Sequence, residues 1–386
     1  MRLLIPLFFA LAEEPASRPA LDGDWPTFRG GMDGAAYREG AFGEPKLRWT
    51  FEAGLEIEST AAIVAGRAIV GTTEGGVIAL DIDAPGPAGK ELWRAAPKAR
   101  VRSSPGVQRG MVYFGDDDGV FRAVDEKTGT QVWSFETGGE VVSSASFHGA
   151  NVLFGSYDSH LYCLSADAGK LVWKLATSDR VHATPAVIAD RTFTAGCDAM
   201  LRVVDIAKGE QVSEVDLGSY TIASPFVTPE GLVVGTYGNQ VRCVRWKESA
   251  IAWTYERTDR AFPFFSSPAC APAAEGRKAI VVIGGRDKLI HAIELESGKP
   301  LWTFPTRSRV DASPVIVGKK VIAAGLDGNL YVLDLATGKE LWTYKAGSGF
   351  IASPAVGRGK LVISTQDGQI LCFDLSGSAP PKKAGP

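Results

Sequence analysis

Between Ala312 and Tyr344 the sequence alternates four short apolar runs with breaks that contain glycine or aspartate. The runs are Pro314–Val317, Val321–Ala324, Leu330–Leu333 and Glu340–Tyr344. The breaks are Gly318, Asp327-Gly328 and Thr337-Gly338. Apolar runs of this length, separated by turn-forming residues, predict a meander of antiparallel strands. One such sheet cannot bury both of its faces alone, so it must pack against further sheets.

The pattern recurs along the chain, and a tryptophan spaced by about 40 residues marks each repeat. The recurring residues are Trp49, Trp93, Trp133, Trp173, Trp253, Trp302 and Trp342. The long gap after Trp173 is two periods, with Ser213 where a tryptophan is expected. Eight units of four strands predict an all-β, eight-bladed β-propeller over residues 46–375. A solenoid is the rival fold, but it would usually show helices or a shorter period, and no helical apolar stripe is convincing.

The two ends of the repeat region complement each other. The last unit starts at Ser353-Pro354, stops after Asp374 and has three strands without a tryptophan. The segment around Trp49 supplies the missing strand, so the N-terminal strand is expected to complete the last blade. Closure of the ring removes open sheet edges that would otherwise invite aggregation.

The segments outside the propeller have their own predictions. Residues 1–12 resemble a secretory signal peptide, with Arg2, the apolar run Leu3–Leu11 and an A-x-A site at its end. Residues 13–45 are predicted as an extended N-terminal arm, which is polar and glycine-rich over Leu21–Gly43. Residues 376–386 are predicted as a disordered tail.

Composition narrows the possible partners. The net charge is −3 and the Lys and Arg residues are scattered, so nucleic acid is not an expected partner. No other segment approaches the ~20 apolar residues of a transmembrane span. No cysteine follows the apolar run, so a lipid anchor there is not expected. We therefore predict a monomeric protein that is exported to the periplasm or cell envelope.

The five cysteines are interpreted as small buried residues. Cys163, Cys243 and Cys372 occupy the same position in three different units, where two other units have Ala79 and Ala123. Equivalent positions in different blades lie far apart around a ring, so these cysteines cannot form disulfides with each other.

The succession S-x-P, D-G and L-D-x-x-T-G-K-x-L-W in the Ala312–Tyr344 unit resembles the pyrroloquinoline-quinone-type propeller repeat with its tryptophan docking motif. The resemblance covers Trp49 to about Leu375. Asp24–Gly30 (DWPTFRG) also looks like the opening found ahead of such propellers in exported bacterial proteins. The resemblance implies that the seven tryptophans are structural docking residues.

Two branches of this class give different functions. The BamB-like group, which includes the outer-membrane β-barrel assembly lipoprotein, consists of non-catalytic eight-bladed scaffolds of about this length. The quinoprotein dehydrogenases hold pyrroloquinoline quinone and a calcium ion, usually in longer chains with two adjacent cysteines. This chain has no adjacent cysteines, and no motif matches the calcium ligands of those enzymes. It also lacks the lipid-bearing cysteine of the assembly lipoprotein.

Other catalytic motifs are missing from the sequence. It contains no G-x-S-x-G, H-E-x-x-H, G-x-x-x-x-G-K-[ST], G-x-G-x-x-G or C-x-x-C motif. The four histidines are scattered, with His148 and His160 in the third unit and His182 and His291 apart from them and from each other. We therefore predict no catalytic residue, no metal site and no cofactor.

The candidate site comes from loop geometry. In a propeller, the loop that leads into each inner strand rises toward the central axis, so the residues before each S-x-P-like start should surround the channel mouth. Arginine and aromatic residues are typical interface anchors. The candidate rim residues are Arg100, Arg102, Arg180, His182, Tyr220, Phe265, Arg309 and Asp311.

The sequence thus predicts a non-enzymatic, exported interaction scaffold of the BamB-like kind, whose rim binds a protein segment or a small anionic ligand. Ordinary solvated loops are the alternative interpretation of the rim. A dehydrogenase or another binder of pyrroloquinoline quinone is the alternative function, and a sugar- or polymer-binding propeller is a third.

Overall fold

A computed structural model describes residues 20–54, 56–73, 76–95, 99–257 and 261–375. The predicted signal peptide at 1–12 and the predicted tail at 376–386 lie outside these residues. The described chain forms eight antiparallel sheets of four strands, with one additional parallel strand on the seventh. The prediction of an eight-bladed propeller is confirmed.

The first two strands of the chain belong to late blades. Strand β1 (Tyr37–Arg38) pairs in parallel with the inner strand of blade 7, and β2 (Lys46–Glu52) pairs with the last strand of blade 8. In the register of this second pair Trp49 lies opposite Cys372. The N-terminal strand therefore completes the last blade and closes the ring, as predicted.

Blades 1 to 4 follow in chain order, and each blade runs from its inner to its outer strand. Blade 1 consists of β3 (Ala62–Val64), β4 (Arg67–Thr72), β5 (Gly76–Asp81) and β6 (Lys90–Ala95). Blade 2 consists of β7 (Gly106–Gln108), β8 (Met111–Gly115), β9 (Val120–Asp125) and β10 (Gln131–Glu136). Blade 3 consists of β11 (Ser146–His148), β12 (Asn151–Ser156), β13 (His160–Ser165) and β14 (Leu171–Ala176). Blade 4 consists of β15 (Ala186–Ile188), β16 (Arg191–Ala195), β17 (Met200–Asp205) and β18 (Glu210–Asp216).

Blades 5 to 8 repeat this order. Blade 5 consists of β19 (Phe226–Val227), β20 (Leu232–Gly235), β21 (Gln240–Arg245) and β22 (Ala250–Glu256). Blade 6 consists of β23 (Ala269–Ala271), β24 (Ile280–Gly284), β25 (Leu289–Glu294) and β26 (Pro300–Pro305). Blade 7 consists of β27 (Val315–Val317), β28 (Lys320–Ala324), β29 (Asn329–Asp334) and β30 (Glu340–Lys345). Blade 8 consists of β31 (Ala355–Gly357), β32 (Lys360–Ser364), β33 (Gln369–Asp374) and β2.

The core lies between the faces of neighbouring sheets. The second and third strands of each blade are buried on both faces, whereas the outer strands alternate between exposed and covered residues. Residues that are apolar in succession, such as Val321–Ala324, therefore form the middle strands, because both of their faces need apolar side chains. Cys163, Cys243, Cys270 and Cys372 are buried as predicted, whereas Cys197 is partly exposed.

The recurring tryptophans join consecutive blades. Six of them donate the indole N–H to a backbone carbonyl of the next blade, at N–O distances of 2.7–3.2 Å. The glycine of the T-G turn lies against the preceding tryptophan: Gly129, at φ 71°, would place a Cβ 2.5 Å from the ring of Trp93. A side chain there would collide with the ring, which explains the glycine.

The described part of the N-terminal arm, which begins at residue 20, lies inside the ring, which the sequence did not indicate. Its backbone carbonyls accept hydrogen bonds from inner-strand amides of six blades. The donors are the amides of Ile63, Val107, Val187, Val227, Cys270 and Ile316. The amide of Phe147 in blade 3 approaches Sδ of Met32, and the arm also bonds to the turn after β31 in blade 8. The arm therefore satisfies amides that the innermost strand edges would otherwise leave unpaired.

Candidate functional site: the axial funnel

A funnel of about 350 Å³ opens on the propeller axis. Its wall contains the eight residues that precede the S-x-P-like starts, one from each blade. They are Glu58, Arg102, Val142, His182, Ile222, Phe265, Asp311 and Ile351. Each is partly exposed and lies between two buried neighbours. The loop geometry inferred from the sequence therefore places these eight positions correctly on the wall of one cavity.

A ring of hydroxyl groups lies one step deeper in the funnel. It consists of one serine or threonine from each blade. The backbone amide of each member donates to the side-chain hydroxyl oxygen of the equivalent member in the next blade, at N–O distances of 2.8–3.2 Å. The eight members are Thr60, Ser104, Ser144, Thr184, Ser224, Ser267, Ser313 and Ser353. These hydrogen bonds form a closed circle, so the serine and threonine side chains hold neighbouring blades together.

The arm closes the deep end of the funnel. In blade 1 the chain passes from Glu58 at the mouth to Thr60 in the ring and then to Ile63, which pairs with Trp25 of the arm. Phe28 of the arm lines the cavity below the ring. The funnel is therefore a blind cavity with an apolar floor rather than an open channel.

On blades 1 to 3 the mouth is charged. Arg102 donates from Nε to Asp117 at 2.8 Å and from Nη2 to Glu140 at 2.5 Å. Burial would lower the pKa of Arg102, but hydrogen bonds and the charges of these two carboxylates outweigh it and raise the pKa. Burial raises the pKa of Glu58 in the same cluster. Arg100 is half-exposed and lies 3.6–3.9 Å from Glu56, Glu58 and Asp117.

On blades 3 and 4 a histidine and a tyrosine form a tight pair. Nδ1 of His182 lies 2.5 Å from the hydroxyl of Tyr157, and the guanidinium of Arg180 covers the Tyr157 ring at 5.1 Å. Burial, with a smaller contribution from the charge of Arg102, lowers the pKa of His182 to about 4. Burial raises the pKa of Tyr157 to about 12. At neutral pH this pair is a neutral imidazole hydrogen-bonded to a phenol.

On blades 5 and 6 the mouth is aromatic. Tyr220 and Tyr237 stack with ring centroids 4.3 Å apart, and Tyr237 lies 5.6 Å from Phe265. The Arg286 guanidinium covers the Phe265 ring at 3.7 Å. Phe262, which precedes Phe265 in the same loop, is 48% exposed.

Arg286 links the aromatic part of the mouth to blade 7. Its Nε and Nη2 each lie 2.8 Å from an oxygen of Asp311, and Nε of Arg309 lies 3.1 Å from the same carboxylate. Asp311 is thus shared between two arginines, and the half-exposed Arg309 retains donors that face solvent.

The structure separates the predicted rim residues into two groups. Arg102, His182, Phe265, Arg309 and Asp311 line the funnel. The other three, Arg100, Arg180 and Tyr220, lie outside the wall and contact residues around its mouth. Sequence reasoning missed Phe28, Arg286, Tyr157 and Tyr237. Phe28 comes from the arm. The other three occupy one repeat position, in the turn between the second and third strands, where the backbone amide donates to a carbonyl of the mouth loop. That shared repeat position is the signal that could have found them.

The described residues contain no group of three or more His, Cys, Asp or Glu side chains that could hold a metal ion. Calcium needs several oxygen ligands at once. The acidic side chains of the mouth do not form such a group, so the described residues do not fit the calcium that the quinoprotein resemblance implies. In the described chain, moreover, no helix has the length and hydrophobicity to cross a membrane.

The closed ring, the tryptophan docking contacts and the blind funnel define an eight-bladed propeller of the quinone-repeat class. A family model described as outer membrane protein assembly factor BamB matches residues 41–157 and 138–377. The chain therefore belongs to this family, as the sequence motif predicted. A search of curated protein sequences finds no match.

Solved structures agree on the fold. BamB from Moraxella catarrhalis is 18% identical, with a TM-score of 0.71 over 88% of this chain and 100% of that one. A quinohemoprotein alcohol dehydrogenase from Comamonas testosteroni is 13% identical, with a TM-score of 0.74 over 94% of this chain and 82% of that one. A europium-containing methanol dehydrogenase is 13% identical, with a TM-score of 0.73 over 90% and 89%. At such identities the similarity shows the shared propeller and leaves function to the site.

Proposed function

We propose that this protein is a non-enzymatic, exported scaffold of the cell envelope, monomeric in itself, whose funnel mouth binds an extended segment of another protein. The observation that carries the proposal is the contrast within one mouth. The exposed arginines Arg100 and Arg309 precede blades 2 and 7, whereas stacked aromatic rings lie on blades 5 and 6. Family membership supports the assignment to the scaffold branch.

The mouth has the composition of a protein interface. Arginine and aromatic residues contribute most of the binding energy at interfaces because they bury large areas and donate several hydrogen bonds. Arg100 and Arg309 are about half-exposed, and Tyr237 and Phe262 are 44% and 48% exposed. A segment with acidic side chains toward the arginines and an apolar side chain toward the rings would complement both surfaces.

The funnel itself has room for part of such a segment. A cavity of about 350 Å³ is at the lower end of the range for small-molecule sites. Its floor is the apolar Phe28 and its wall carries Val142, Ile222 and Ile351 among the charged residues. One or two side chains of a bound segment could enter the funnel while the rest lies across the mouth.

The titratable groups of the mouth support binding rather than catalysis. His182 and Tyr157 are both neutral at pH 7, because burial lowers the pKa of the imidazole and raises the pKa of the phenol. Asp117, Glu140 and Asp311 are each paired with arginine. A general base needs a pKa near the working pH, and the pKa of His182 lies well below it.

The test is crosslinking in intact cells with the wild-type protein and a variant in which Arg100, Arg102, Arg180 and Arg309 are all alanine. We expect the variant to fold and to lose the crosslinked partner. The control replaces four exposed lysines of the outer turns by alanine, which removes the same charge elsewhere. These are Lys127, Lys170, Lys208 and Lys339. Partner capture that survives in the rim variant would overturn the proposal.

A titration with pyrroloquinoline quinone and calcium, followed by tryptophan fluorescence, tests the alternative. Saturable binding at or below roughly micromolar, which corresponds to about −8 kcal/mol, would require a screen for dehydrogenase activity. A flat titration together with a captured protein partner would support the scaffold.

A further inference from the structure

Two arginines of the N-terminal arm are buried with unused donors. Arg29 is 3% exposed and Arg38 is 1% exposed. Nη2 of Arg29 donates to the carbonyl oxygens of Pro268 and Pro314, both at 3.0 Å, whereas its Nε and Nη1 are buried without a partner. Nε of Arg38 is likewise buried without a partner. Three guanidinium nitrogens, which carry four N–H groups, therefore lack an acceptor among the described residues, at a site inside the ring.

The rest of the Arg38 side chain is firmly held. Its Nη2 donates to the carbonyl oxygens of Asp24 at 2.8 Å and Gly30 at 3.1 Å. Its guanidinium covers the ring of the buried Trp25 at 4.5 Å. Arg38 therefore cannot turn its unused donor toward solvent without breaking these contacts.

The positive charge of this pair is not balanced within the described residues. Neither guanidinium lies within 4.0 Å of a carboxylate there, in contrast to the paired arginines of the funnel mouth. The carboxylate of Asp33 acts electrostatically on both guanidiniums. Its Oδ1 accepts a hydrogen bond from the Ala35 amide at 3.1 Å. Asp24 also acts on Arg38, but its carboxylate forms an ion pair with Arg358. Three arginines and two carboxylates leave one net positive charge. Burying an uncompensated charge costs several kcal/mol, so a counterion would stabilise this site.

The arginines remain charged at neutral pH. Burial, opposed only by Asp33, lowers the pKa of Arg29 to about 9. Burial, opposed by Asp33 and Asp24, lowers the pKa of Arg38 to about 10. Deprotonation therefore does not remove the charge imbalance near pH 7.

A cavity lies next to both arginines. It measures about 40 Å³, and arm residues between Arg29 and Arg38, Asp33 among them, form its wall. A single water needs about 10–15 Å³ of such space, so a small anion fits here and a large one does not. A second space beside Arg29 measures about 10 Å³, which leaves room for no more than one water.

We propose that arm residues 29–38 enclose a binding site for one small monovalent anion of chloride size, held between Arg29 and Arg38. Nε and Nη1 of Arg29 and Nε of Arg38 are the donors. One monovalent anion would bring the net charge of the two arginines and Asp33 to zero. Because the carbonyls of this arm bind inner strands of several blades, the anion would stabilise the whole ring.

The test measures thermal unfolding of the full chain in sodium chloride or sodium bromide against sodium gluconate, at constant ionic strength. Gluconate is too large for the cavity. We expect the unfolding temperature to rise with halide concentration and then saturate, by roughly 2–4 °C at a hundredfold excess over Kd. An unfolding temperature that does not depend on the anion would overturn the proposal.

Variants locate the effect. Arg29→Met keeps the length of the side chain and removes the donors, so its unfolding temperature should be independent of halide. Arg245→Met is the control, because Arg245 forms an exposed pair with Glu248 on the propeller surface. It should retain the full halide dependence. A dependence that persists in Arg29→Met would contradict the assigned site.

Crystals of the wild-type protein grown in bromide provide a measurement that does not rely on the variant folding. Bromide at this site should give an anomalous peak within hydrogen-bonding distance of Nε of both arginines. Density at that place without an anomalous signal would identify water and overturn the proposal.

Discussion

The amide nitrogen of Ser353 lies 3.1 Å from Oγ1 of Thr60, although 293 residues separate them in the chain. This hydrogen bond joins blade 8 to blade 1 and completes the circle of eight hydroxyls. The ring is thus closed at two distances from the axis. This hydrogen bond closes it near the axis, and the pairing of β2 with β33 closes it at the periphery. Loss of either closure would leave blades 1 and 8 with only part of their interface.

Thr60→Val should test the inner closure. Valine keeps the shape of threonine but removes the acceptor, which leaves the buried Ser353 amide unsatisfied. We expect a loss of about 1–3 kcal/mol in the free energy of unfolding, measured by denaturant titration. Thr60→Ser retains the hydroxyl and should lose much less. Equal losses in both variants would show that the methyl group matters rather than the hydrogen bond.

Trp93→Ala should test the docking contact between blades 1 and 2. Trp93 is 7% exposed, and its indole N–H donates to the Glu126 carbonyl at 2.9 Å. Truncation should cost about 3–5 kcal/mol in the free energy of unfolding. The neighbouring Leu92 is 42% exposed, and Leu92→Ala should change stability by less than about 0.5 kcal/mol. A similar cost for both would contradict a docking role for the tryptophan.

Removal of residues 1–40 should expose the inner strands without removing β2. The amides of Val107, Val187 and Val227 bond to arm carbonyls, so hydrogen exchange at these sites should accelerate. The amide of Val112, in a middle strand, should exchange at its original rate. Removal of residues 1–19 alone is the control and should change none of these rates. Unchanged protection after the longer deletion would mean that the arm does not hold the inner strands.

Stability should fall in acid because of His182. The pKa of this imidazole is lowered from 6.5 to about 4 in the folded protein, so the unfolded chain binds the proton first as pH falls. Between pH 6.5 and 4 this difference should reduce the free energy of unfolding by up to about 3 kcal/mol. The measurement is the denaturant midpoint against pH for the wild type, for His182→Gln and for His148→Gln as a control.

In His182→Gln the part of the pH dependence due to this residue should disappear. His148→Gln is the matched control, because it removes the same imidazole at a position outside the funnel wall, where the side chain is 34% exposed. A wild-type slope in His182→Gln would assign the acid sensitivity to other groups.

The repeat made most of the architecture predictable. The runs predicted in the Ala312–Tyr344 unit agree with β27 to β30 within a residue or two at each end. Each unit contains its own turn residues and its own alternation of burial, so its local sequence is sufficient to predict its strands. Because all eight units have the same geometry, the positions before each S-x-P-like start could be assigned to the axis before any contact was known.

The sequence alone therefore determined the eight blades, the closure by the N-terminal strand and the eight wall positions that precede the S-x-P-like starts. Only the tertiary structure decided where the arm lies, because its bonds join residues such as Arg29 and Pro314 that are 285 positions apart and share no repeat pattern. Arg286 meets Phe265 within blade 6, where the turn between β24 and β25 folds back onto the loop that leads into β23. Tyr157 and His182 belong to neighbouring blades, so their contact depends on how those blades are placed around the axis, which is a property of the closed ring rather than of any single unit.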